Sequence, residues 1–233
     1  MRLIDRWVGI PLCFFASFWP LKKAQADSNS TLATNIPPPD TIVFILIAEI
    51  GALVVAYPAI KETRKQHPKS RICFITAPAG LQTLELMGFE KEDIFLLETS
   101  SIKSLLKGIV NIRSHFKGGR VSAIVLEPFT RFSTLLSAWI GASKRIGCYR
   151  FLNEGVFLGN ILTHRLVYNP HLHISQTYFA LAKALIEPDS AKPLLKEYIP
   201  SQIKNRLKIN IPEKEQQTLM KRLQSECPEN PLK

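Results

Sequence analysis

The chain has 233 residues, 46% of them hydrophobic and 21% charged, with 30 Lys and Arg against 19 Asp and Glu for a formal net charge of +11 and a pI near 9.6. Such a composition is that of a globular protein in a reducing compartment and excludes a disordered chain or a heptad coiled coil; Cys13, Cys73, Cys148 and Cys227 stand too far apart for a zinc finger or a small disulfide scaffold. The positive excess favours a polyanionic partner without choosing among phosphate groups, an anionic membrane surface and nucleic acid.

Residues 1–26 read as a separate piece. Arg2 and Arg6 precede an apolar stretch from Trp7 to Leu21, broken by Pro11 and Pro20, and Lys22-Lys23 and Ala24-Gln25-Ala26 follow. The stretch is too short and too interrupted for a spanning helix of about 20 residues. Its order also fits a signal peptide and hence an exported anion-binding protein, but Asp5 and the lysine pair are unusual flanks for one. As an interfacial anchor, Trp7, Phe14, Phe15, Phe18 and Trp19 would enter a membrane surface while the basic residues meet anionic headgroups. The remaining alternative is an arm packed on the domain.

Residues 27–40, with Pro37-Pro38-Pro39, form a linker by composition. Thr41–Ile47 is a continuous β-branched and aromatic run, the pattern of a strand buried on both faces of a parallel sheet. Similar runs at Arg71–Thr76, Asp93–Leu97, Val121–Leu126, Arg145–Cys148 and Arg165–Tyr168 are predicted strands. Helical spacing separates them: Ile102, Leu105, Leu106, Ile109 and Val110 after Ser100-Ser101, and Phe132, Leu135, Leu136, Trp139 and Ile140 after Thr130. Ile174, Tyr178, Leu181 and Leu185 predict a further helix, and Glu213–Gln224 a last one. Alternating strand and helix over residues 41–187 predicts an α/β doubly wound parallel sheet, with Thr41–Ile47 near its centre and ligand sites at the carboxyl ends of its strands.

The segment Ala48-Glu49-Ile50-Gly51-Ala52 directly after the first strand therefore occupies a site-forming position, with Pro58 suited to the first turn of a helix. Glycine there allows a ligand to approach the backbone, and Glu49 is a carboxylate at the strand tip. From Lys103 to Arg150 the chain carries nine basic residues and one acid, Glu127. Arg forks in such a stretch suit phosphates and carboxylates; equally, Lys103, Lys107 and Lys117 fit a solvated helix face. Neither a recognition helix nor an RNA-binding motif accompanies the charge, so nucleic acid is not expected. His171 and His173 lack further metal-ligand spacing and read as capping or packing residues, so no metal is expected.

Taken in order, the first strand with Gly51 and Pro58-Ala59-Ile60, the Lys61–Lys69 run, Gly141-Ala142-Ser143-Lys144-Arg145-Ile146-Gly147 and His173-x-x-x-x-Tyr178 resemble glycosyltransferase family 9, the heptosyltransferases of the lipopolysaccharide inner core. The opening Ile4-Asp5-Arg6-Trp7-Val8-Gly9-Ile10-Pro11-Leu12 is similar to the start of a subgroup of that family. The resemblance implies the Rossmann-like N-terminal, acceptor-binding half of a GT-B fold over residues 41–187, with residues 188–233 as interdomain linker and helix and the donor-binding domain absent. It implies a nucleotide-sugar donor such as ADP-heptose, a lipid A/Kdo-type acceptor, no cofactor, and a cytoplasmic location peripheral to the inner membrane. Family enzymes commonly carry Asp immediately after the glycine as the base; this chain has Ala52, which leaves Glu49 as the candidate base. Gly51, Ala52, Arg131, Lys144 and Arg145 are the implied acceptor contacts. The alternative function is a truncated, non-catalytic module that binds acceptor or membrane.

Overall fold

The computed structural model describes residues 9–18, 38–151, 156–186 and 213–226. Trp7, Trp19, Cys227, residues 27–37 of the predicted linker and most of residues 188–233 lie outside them. In chain order the elements are α1 (Gly9–Phe18), β1 (Thr41–Ile45), α2 (Ile50–Gln66), β2 (Arg71–Thr76), α3 (Leu81–Leu86), β3 (Ile94–Leu96), α4 (Ile102–His115), β4 (Val121–Val125), α5 (Arg131–Trp139), β5 (Lys144–Phe151), β6 (His164–Tyr168), α6 (Ile174–Lys183) and α7 (Glu213–Glu226).

Six strands make one parallel sheet in the order β3-β2-β1-β4-β5-β6, with β1 flanked by β2 and β4. This is the Rossmann-like order: the chain winds outward from β1 to β3, crosses back through α4 to β4, and winds the other way. Because both faces are covered, the central strands β1, β2 and β4 are apolar over most of their length. Ile42, Phe44 and Leu46 face the layer of α2, α3 and α6, where Phe44 and Phe74 stack at 5.3 Å. Val43, Ile45 and Ile75 face the layer of α4 and α5. The period-2 geometry of a strand deals consecutive side chains to the two cores, which is why the predicted runs show no polar alternation.

Local chemistry sets the helix limits. The Ser101 hydroxyl accepts from the Ser104 amide at 3.1 Å and caps α4, as its position predicts. Pro58 lies well inside α2 rather than in its first turn. The helix begins at Ile50 because Leu53, Ala56, Ile60 and Thr63 form one buried stripe. Packing of that stripe outweighs the single intrahelical bond, to the Val54 carbonyl, that a proline cannot make.

Residues 1–26 were expected to be a signal peptide, an interfacial anchor or a packed arm; the described helix α1 packs on the domain through one face and exposes the other. Its inward stripe is small, with Gly9 and Cys13 buried, and it packs against α5. Ser17 accepts from the Asn160 amide at 3.0 Å. The described part of the β5–β6 connection, residues 156–163, is not helical, and α1 lies against it through Gly159 and Asn160. A parallel crossover usually supplies its own covering helix. Here the helix comes from the far N-terminus. The outward side chains of Phe14, Phe15 and Phe18 are exposed.

Candidate functional site

All strands run the same way, so the carboxyl ends of β1, β4 and β6 share one edge of the sheet. At β1 the chain leaves the ladder after Ile45, Leu46 still donates to the Ile75 carbonyl at 3.0 Å, and the backbone then turns through Ile47, Ala48 and Glu49 into α2. Glu49 is the N-cap residue of α2, with extended backbone, an exposed side chain and no capping bond from that side chain. The carboxylate is therefore free of the helix it precedes, and it stands where the helix dipole favours negative charge.

The turn is held from across the sheet. Glu127, just past β4, is only 8% exposed. One carboxylate oxygen accepts from the Ile47 amide at 2.8 Å and the Ala48 amide at 2.6 Å; the other accepts from the Ser133 hydroxyl of α5. This side chain ties the loop carrying Glu49 to β4 and α5. Sequence reading registered Glu127 only as the lone acid in a basic stretch. A Glu-Pro pair at a strand end in such surroundings was the available signal.

Beyond Glu127 the backbone passes through Phe129 at φ 60°, a left-handed conformation that costs a bulky residue energy and is held here by an edge contact of the ring with Tyr168 at 5.6 Å. Thr130 occupies the N-cap of α5 without a side-chain capping bond. Arg131 opens that helix, half-buried, with Nε donating to the Phe157 carbonyl at 3.1 Å. Two helix N-termini thus open on this edge, one with Glu49 and one with Arg131. The positive ends of their dipoles favour anionic ligand groups.

Gly51 is exposed, and a Cβ added to it would meet no atom within 4 Å. Packing does not demand glycine there; the missing side chain leaves open space above the start of α2. Ala52 turns inward and joins the core, 9% exposed. Tyr178 of α6 is buried, and its hydroxyl is pushed far above the usual tyrosine range, first by burial and then by the charge of Glu49. His173 caps α6, its Nδ1 accepting from the Ser175 amide at 3.3 Å. Among the described residues no three His, Cys, Asp or Glu side chains are grouped to hold a metal.

Lys144 and Arg145 are corrected as acceptor contacts. They begin β5, at the amino edge of the sheet, opposite to the end that carries Glu49. Lys144 is 5% exposed and donates to the Leu185 carbonyl at 2.8 Å; Arg145 is 1% exposed and donates to the Ile161 carbonyl at 2.6 Å and the Ala142 carbonyl at 2.5 Å. The carbonyls of Ala142 and Ile161, which precede β5 and β6, and of Leu185, which follows α6, need donors, and these two long side chains fold inward to supply them.

The sequence matches no protein-family model and no curated protein. Solved structures do match. A glycosyl transferase family 9 protein from Veillonella parvula DSM 2008 is 17% identical with a TM-score of 0.54, the match covering 80% of this chain and 49% of that one. The E. coli ADP-heptose lps heptosyltransferase II is 18% identical with a TM-score of 0.50, over 78% of this chain and 50% of that one. At these identities the likeness is one of fold: an α/β, Rossmann-like sheet shared with about half the length of each glycosyltransferase.

Proposed function

We propose that the chain belongs to glycosyltransferase family 9 and forms the acceptor-binding half of a heptosyltransferase-like enzyme. The observation that carries the reading is the carboxyl edge of the sheet, where an uncommitted carboxylate, Glu49, stands beside open space at Gly51 in a fold shared with such enzymes. The donor is a nucleotide sugar such as ADP-heptose, and the acceptor a lipid A/Kdo-type lipopolysaccharide core at the cytoplasmic side of the inner membrane. No resident cofactor takes part in this reading.

In the reaction an acceptor hydroxyl attacks the anomeric carbon of the donor sugar. Its C–O bond forms as the bond from that carbon to the nucleotide phosphate breaks, and the hydroxyl proton passes to Glu49. A positioned base of this kind contributes about 10²–10⁴-fold. Arg131 and the N-termini of α2 and α5 hold acidic groups of the acceptor. Heptose transfer from ADP-heptose to a Kdo-bearing acceptor, by this chain and by any longer product of its gene, is the test. Transfer that falls about 10²-fold or more in Glu49→Gln, with acceptor affinity unchanged, supports the reading. Full turnover in that variant places the base elsewhere.

A second reading keeps the acceptor site without catalysis. In it the described residues serve as a module that binds acceptor or membrane; the chain spans about half the length of the glycosyltransferases it resembles in fold. Acceptor binding without transfer by any product of the gene selects it.

A further inference from the structure

The two helical layers differ in charge. In the layer of α2, α3 and α6, acids stand beside bases on α2 and α3, as Lys61, Glu62, Arg64 and Glu85 show, while α6 carries Lys183 and no acid. On the other side α1, α4 and α5 contain no Asp or Glu at all. Their bases are Lys103, Lys107 and Arg113 on α4 and Arg131 on α5.

The same layer leaves large apolar side chains in solvent. Along α4, Ile102, Leu106 and Val110 recur every fourth residue, 66%, 57% and 63% exposed. The helix has a second apolar stripe, ending in Ile112, that packs on the sheet, so the outer stripe is not what attaches it. On α1, Phe14, Phe15 and Phe18 are 51%, 68% and 74% exposed. Between these helices Trp139 of α5 is 43% exposed, with Arg113 stacked over its ring at 4.8 Å and its indole N–H donating to the Ile109 carbonyl at 3.0 Å. Lone exposed apolar residues need no explanation; a face of them along three neighbouring helices does.

We infer that this whole face, built by α1, α4 and α5, docks on an anionic bilayer surface. Aromatic and aliphatic side chains interleaved with Lys and Arg, and free of acids, are the chemistry of an interfacial surface. In sequence α1 is flanked by Arg2, Arg6, Lys22 and Lys23. No described helix is long and apolar enough to cross a membrane. A second copy fits less well. A two-fold contact sets a patch against itself, bringing Lys103, Lys107 and Arg113 of one copy against the same cations of the other. The inference extends the proposed membrane association from the N-terminal segment to a helical face, and it does not depend on sugar transfer.

The test is co-sedimentation of the full chain with phosphatidylglycerol-containing vesicles and with pure phosphatidylcholine vesicles. The anionic vesicles should bind the chain and the neutral ones bind it far less. Leu106→Asp and Phe15→Asp should each weaken binding about tenfold or more, and Lys103→Ala or Lys107→Ala about fivefold. Leu86→Asp, an exposed site on the opposite layer, should leave it unchanged. Melting curves show which variants remain folded, and the two lysine variants, on exposed side chains, decide the matter should an aspartate variant unfold. Binding that survives the α4 substitutions, or that ignores lipid charge, overturns the inference. So does a chain that fails to bind vesicles and sediments as a dimer dispersed by Leu106→Asp.

Discussion

Glu127 and Arg145 invert what their residue types suggest. The acid of the basic stretch holds the loop at the candidate site, while a cation expected at that site is buried at the other end of the sheet. Glu127→Ala strands two backbone amides and the Ser133 hydroxyl, so a thermal melt should show a loss of about 1–3 kcal/mol or more. Glu127→Gln retains an acceptor for both amides and should lose less. Arg145→Ala leaves the carbonyls of Ile161 and Ala142 without this donor, so it should destabilise the fold by about 1–3 kcal/mol for each group left unpaired, with no selective effect on acceptor affinity. Asp40 illustrates a pH effect. Its carboxylate accepts from the Arg120 guanidinium and amide, both at 2.9 Å, and the guanidinium bond above all lowers its pKa from 3.8. A lowered folded-state value means this clamp between β1 and β4 contributes fully above pH 3.8 and is lost as pH falls through the lower folded value. Wild type and Asp40→Asn should therefore differ in melting temperature near neutrality and converge in strong acid. None of these roles was legible from residue type, because each depends on which loop carbonyl or amide lies opposite in the folded sheet.

The strands and most helices were legible because their information is local. Burial on both faces writes itself as uninterrupted runs such as Ile42–Ile45, and one-sided burial as the spacing of Leu105, Ile109 and Ile112. The limits moved where pairing extends a strand beyond its apolar residues, as in β5, which was predicted over Arg145–Cys148 and spans Lys144–Phe151. The docking of α1 is not local, and sequence left it open between signal peptide, anchor and arm. Its fit is tight. Gly159 adopts φ 60°, and an added Cβ would collide with the Ser17 hydroxyl and lie 2.7 Å from the Cys13 carbonyl. Gly159→Ala should therefore displace α1 at a cost of about 1–3 kcal/mol, seen as a lower melting temperature and faster amide exchange in residues 9–18. Deleting residues 1–26 should likewise lower the melting temperature, since it uncovers α5 as well as removing the aromatic face.

At the scale of the molecule, sheet order and the carboxyl-edge position of Glu49 and Gly51 follow from alternation and handedness, whereas the one-sided distribution of charge required the topology to say which helices share a layer. The described residues contain one Rossmann-like sheet, and in the proposed reading that sheet serves the acceptor. Calorimetry with the chain alone should accordingly show binding of a Kdo-bearing acceptor and none of ADP; tight ADP binding would assign the carboxyl edge to the donor. The N-terminal origin of the helix that lies against α5 and the β5–β6 connection also sets a clock. Ser17 and its partner Asn160 are 143 residues apart. At about 5–20 residues per second of synthesis, α1 waits roughly 7–30 s after emerging before the backbone it packs on exists. During that interval its inward stripe is as uncovered as its phenylalanines, so the nascent chain presents a helix that is apolar on both sides before it has a fold.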